Sequence, residues 1–131
     1  EHIPYDTICF HCQQAAEKFL KSYLVEHGNT PPHTHDLLLL LERILSTNVE
    51  VEELRDDLAL LTPYAVEIRY PDDWFQPSAE DAREAREAAE HVLKWLRVAL
   101  PELFQHSALA RQNEADALLD PTNNDSPQTS V

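Results

Sequence analysis

The chain has 131 residues, room for one domain with a real core but not for two. One glycine against nine prolines, with abundant Leu, Ala and Glu, points to helices and away from sheets, which draw on turn glycines and β-branched runs. A formal net charge of −14 repels nucleic-acid backbones and disfavours non-specific DNA or RNA binding, so any phosphate needs a local cationic pocket and a basic protein partner is electrostatically easier.

The first predicted helix runs from about Tyr5 to His27, with apolar residues at 8, 12, 15, 16, 19, 20, 23 and 24 along one buried face. Gly28 stands where a helix ends in a left-handed residue, and Pro31-Pro32 prevent continuation. Thr34 or His35 starts a second helix that reaches about Ser46. Its Leu37 to Leu41 block is apolar on nearly every side, which predicts burial between neighbours. That block is the longest apolar run, far short of the roughly 20 residues a bilayer crossing needs. After a loop at Thr47-Asn48, a third helix covers about Val51 to Leu61, and Pro63 fits the first turn of a short helix through Ile68.

Pro71 with Asp72-Asp73 makes a turn. Ser78 followed by Asp81 approximates a capping box and opens a fourth helix, about Ala79 to Leu100. Its core stripe is Ala82, Ala85, Ala89, Val92, Leu93, Leu96 and Leu100, and Pro101 closes it or starts a separate short helix. Residues 105–119 are weakly amphipathic, and 120–131 have the composition of a solvated, disordered tail. The expected organisation is therefore an all-α domain over 1–104, an antiparallel up-and-down helical bundle, followed by an acidic tail over 105–131. No signal peptide is visible, and two cysteines are too few for a disulfide scaffold, so the expected location is the cytoplasm.

Three stretches carry the chemistry: Cys9-Phe10-His11-Cys12-Gln13-Gln14-Ala15-Ala16-Glu17-Lys18, then Thr34-His35-Asp36-Leu37, then Arg69-Tyr70-Pro71-Asp72. In order, spacing and residue type they resemble the HEPN family over roughly residues 5–101. The resemblance implies a small helical domain linked to nucleotides and RNA. It also implies a further long helix before Tyr5, so the sequence looks N-terminally truncated. The groove left by that helix would take either the helix itself or a second subunit, and a homodimer is expected. Bacterial members commonly work beside a small nucleotidyltransferase, in toxin–antitoxin-like or nucleotide-transfer systems.

Within that frame Arg69 is the first candidate for binding a nucleotide or other anion, because guanidinium grips phosphate or carboxylate with a planar fork. Pro71 pushes Tyr70 out of helical geometry and leaves Arg69 at a helix end. The competing reading is an ion pair with Glu67, Asp72 or a carboxylate of the first helix. His11, Gln14, Lys18 and Lys21 share one side of the first helix, where Gln14 and Lys18 are fit to hydrogen-bond a base edge or phosphate. An ordinary solvated face would read the same way. His35 either joins that site or packs against the first helix, while Asp36 suits a first helical turn. The nucleotide-binding candidates are thus Arg69, Tyr70, Lys18, Gln14 and His35.

HEPN ribonucleases place a histidine after the arginine with four to six residues between the two, where the pair holds a phosphate and moves a proton. Counting from Arg69, those positions hold Trp74, Phe75 and Gln76. Arg86 and His91 satisfy the bare spacing, but inside the fourth helix they stand about 140° apart around the axis. No catalytic residue is therefore expected, and the chain reads as a nucleotide- and partner-binding module. An endoribonuclease with a degenerate motif and a purely structural dimerisation module are the alternatives. Cys9, Cys12, His33 and His35 are zinc-ligand types, yet a CxxC pair inside a helix, with Cys12 on its apolar stripe, reads as buried cysteine. No metal is expected, and no cofactor other than a nucleotide ligand. Trp74-Phe75 either stack a base or cover the end of the bundle, and Trp95 is read as helix packing.

Overall fold

The computed structural model describes residues 4–66 and 76–104. Among them 78% are helical and none lies in a strand. Four α-helices follow one another: α1 (Tyr5–Glu26), α2 (Leu37–Leu45), α3 (Arg55–Leu61) and α4 (Ala79–Ala99). Two 3₁₀ segments, Val49–Leu54 and Thr62–Tyr64, flank α3. The chain divides into two compact units, residues 1–98 and 99–131. Of the second only 99–104 are described, where 101–104 form a short helical turn. The tail expected over 105–131 lies outside the described residues.

Local chemistry explains most of the boundaries. α1 ends at Glu26, and two residues on the chain turns away at Gly28, whose φ of +78° is a conformation that L side chains rarely adopt. The carboxylate of Asp36 accepts from the backbone N–H groups of Leu38 and Leu39, so α2 starts after Asp36 instead of at Thr34 or His35. The third predicted helix is not uniform: Asn48 caps a 3₁₀ segment, and regular α-helix begins only at Arg55. The β-branched Val49 and Val51 weaken a regular α-helix here, and Val51 and Leu54 of this segment are buried. At α4 the capping box is complete. Asp81 N–H donates to Ser78 Oγ at 3.1 Å, and Ser78 N–H donates to the Asp81 carboxylate at 2.9 Å.

The alternation of directions can be read from contacts along α1. Tyr64, after α3, hydrogen-bonds Cys9 near the start of α1, while Asp57, at the other end of α3, meets His91 of α4. Tyr23, near the end of α1, lies with its ring 5.1 Å from that of Trp95, near the end of α4. The α3 leg therefore runs against both α1 and α4. After α1 it is the loop over 27–36 that makes the return. His35 arrives beside Gln13 and Glu17 in the middle of α1, and Thr47, just past α2, receives a hydrogen bond from the Tyr23 hydroxyl.

The core of the first unit is built from Leu20 and Leu24 of α1, Leu37, Leu40, Leu41 and Ile44 of α2, Leu58 and Leu61 of α3, and Ala85, Val92 and Leu96 of α4. The leucine block of α2 is not covered on every side, because Leu39 is exposed and Leu38 only half-buried. Among the described residues no helix is long and apolar enough to cross a membrane.

Candidate functional site

On α1 the buried face is rotated by one residue from the stripe that apolar periodicity predicts. Its first turns bury Cys9, Gln13 and Glu17, while Ile8 is exposed and Cys12 only half-buried. Gln13 is 0% exposed, and a fully buried amide needs partners, since an unmade hydrogen bond there costs about 1–3 kcal/mol. Its Nε2 donates to the His35 carbonyl at 3.0 Å and to Glu17 Oε1 at 3.4 Å. Turning the amide over would set its oxygen against two other acceptors, so the amide orientation is determined by its neighbours.

Glu17 is the centre of this knot. Its Oε1 accepts from His35 Nδ1 at 2.9 Å, and its Oε2 accepts from Lys21 Nζ, also at 2.9 Å. Burial pushes the Glu17 carboxyl up, but the hydrogen bonds and charges of Lys21 and His35 outweigh it and leave the group below the ordinary carboxylate range. Glu17 is thus ionised at neutral pH. Because an ionised carboxylate only accepts, the proton in the His35 contact sits on Nδ1. The Glu17 side chain is 11% exposed and that of His35 70%, so one end of the pair is anchored in the fold and the other faces solvent.

The remaining sequence candidates are distributed as follows. Gln14 is half-buried and pairs with His11 at 3.2 Å on the outer side of α1, and Lys18 is exposed on that side. They do not join the knot, whereas His35 and Lys21 do. Arg69 and Tyr70 lie outside the described residues, as do Pro71, Asp72, Trp74 and Phe75. His91 of the Arg86–His91 spacing turns to Asp57 of α3 at 3.2 Å. Trp95 is buried against Tyr23.

Gln13 and Glu17 are the buried polar residues that the sequence candidates missed. Their signal was present in the i, i+4 ladder Cys9, Gln13, Glu17, Lys21, which places an amide, a carboxylate and an ammonium on one line of the helix. As for the two cysteines, burial pushes both thiols up, away from the thiolate that a metal ligand or nucleophile requires. Among the described residues no group of three or more His, Cys, Asp or Glu side chains is placed to hold a metal ion.

Residues 1–99 match the family model of the HEPN domain. No curated protein and no solved structure matches the chain.

Proposed function

The chain belongs to the HEPN family, and from that premise we propose that it is a non-catalytic module that binds a nucleotide and acts beside a small nucleotidyltransferase. The observation that carries the non-catalytic half is in the sequence. Trp74, Phe75 and Gln76 occupy the positions where the family's ribonucleases hold their histidine, and none of the three side chains transfers a proton at neutral pH. The net charge of −14 supports the same reading, since a long RNA would meet repulsion over most of the surface. A single nucleotide needs only a few local cations. Arg69 is the proposed phosphate grip, with Tyr70 beside it and Lys18, Gln14 and His35 as further ligand contacts.

The test is calorimetric titration with nucleoside triphosphates on the wild type and Arg69→Ala, beside an RNA degradation assay. Arg69→Ala is expected to weaken binding by about 1.5–3 kcal/mol, the worth of a charge-assisted hydrogen bond, with no RNA cleavage in either protein. Equal affinity in both proteins removes Arg69 from the site. Cleavage that disappears in the variant means that the chain is an endoribonuclease instead. Co-purification of the tagged chain with a nucleotidyltransferase tests the partner directly.

A further inference from the structure

The Glu17–His35 pair buries its carboxylate and leaves the imidazole largely in solvent, so the ring edge away from Glu17 is open to a ligand. With Nδ1–H committed to Glu17 at 2.9 Å, the second ring nitrogen, Nε2, carries the lone pair in the neutral ring. Lys21, on the other oxygen of the same carboxylate, balances the Glu17 charge. A proton added at Nε2 therefore appears as net positive charge at the surface. His33 and Asp36 are the titratable residues next to it along the same loop.

We propose that His35 is a direct contact for a phosphate group of the bound nucleotide, and that Glu17 is the residue that positions it. On binding, the ring takes a proton from solvent and donates Nε2–H to a phosphoryl oxygen, while Nδ1–H stays on Glu17. No covalent bond is made or broken. Gln13 completes the arrangement from below, since its amide holds the His35 carbonyl and the same Glu17 oxygen. This inference rests on the nucleotide-binding reading above and specifies which group of the nucleotide meets which atom of the chain.

The experiment uses ATP as the probe, titrated into wild type, His35→Gln and Glu17→Gln in buffers of different ionisation enthalpy, with ring ¹⁵N spectra of His35 in the wild type and Glu17→Gln. His35→Gln changes an exposed side chain, so the fold is retained and the variant remains interpretable. The wild type is expected to take up protons as ATP binds. His35→Gln should lose that uptake and bind about tenfold more weakly, the lower end of what a hydrogen bond to a charged group is worth. The free wild type should show the Nδ1–H tautomer, and Glu17→Gln should shift it toward Nε2–H. ATP binding with equal affinity and equal proton uptake in wild type and His35→Gln overturns this inference and leaves the nucleotide reading standing. Absence of ATP binding in the wild type removes both.

Discussion

α1 and α4 are nearly equal in length and both lie against the core, yet they are built on opposite plans. α4 buries alanines, one valine, Trp95 and Leu96, keeps its charges outside, and starts on a reciprocal side-chain cap. Its outer charges are satisfied locally, with Arg83 reaching Glu80 and Glu87 on its own face, contacts worth little at an exposed position. α1 starts after Pro4 with no side-chain cap and buries an amide and a carboxylate along its middle, beside the small Cys9 and Ala16. From Leu20 onward its covered face is wholly apolar and aromatic. The difference separates two tasks. An alanine-lined helix is a prop that buries small apolar side chains and leaves its polar groups outside. A helix that buries Gln13 and Glu17 commits hydrogen-bonding groups that a purely structural helix would replace with leucine at lower risk.

If that contrast is right, the largest stability loss comes from the apolar side of the shared core. Trp95→Ala removes the ring packed on Tyr23 and should cost about 3–5 kcal/mol, read from urea unfolding at neutral pH. A loss below about 1 kcal/mol would mean that α4 is only loosely docked on α1.

The polar knot should respond less, but with a dependence on pH that the apolar core lacks. Glu17→Gln keeps the shape and removes the charge that Lys21 and His35 share, and is expected to cost about 1–3 kcal/mol at pH 7. Glu17 is held below its ordinary range by those partners, so its contribution is present above the unfolded carboxylate value and fades as pH falls through the folded one. Wild type and Glu17→Gln should therefore converge in stability under acid conditions, while the Trp95→Ala deficit persists there. Parallel pH profiles for wild type and Glu17→Gln would show that the carboxylate contributes shape alone.

The smallest effect belongs to the cap. Ser78→Ala should cost about 1 kcal/mol and loosen only the first turn of α4, which amide hydrogen exchange of residues 79–82 would report. No equivalent position exists before α1, where Pro4 offers no side-chain acceptor.

How much of this was legible in advance follows the same division. The span of α1, its termination just before Gly28, the capping box of Ser78 and Asp81, the alanine stripe of α4 and the packing role of Trp95 are all readable from the chain. Each depends on a local rule: periodicity, a left-handed glycine, a side-chain oxygen three residues from an N–H. The 3₁₀ winding at Val49–Leu54 was less legible, because tertiary packing of Val51 and Leu54 overrides a weak helical preference there.

The candidate site was half legible. His35 stood out as a residue that packs on or beside the first helix, and the pattern around Gln13 and Glu17 supported the family resemblance. Which glutamine faced inward was not decidable from hydrophobicity, because Gln13 and Gln14 are the same residue type and the covered face here is polar. The register of α1 was settled by the returning loop over 27–36, which carries the His35 carbonyl and imidazole to the level of Gln13 and Glu17 and bonds Gln13 Nε2 and Glu17 Oε1, while Gln13 Oε1 has no partner among the described residues. The sequence by itself determined that the chain is a set of amphipathic helices of HEPN type, since short-range patterns specify helices. Only the tertiary structure decided which polar groups of α1 are enclosed, because the cost of burying an amide or a carboxylate depends on partners brought from elsewhere in the chain.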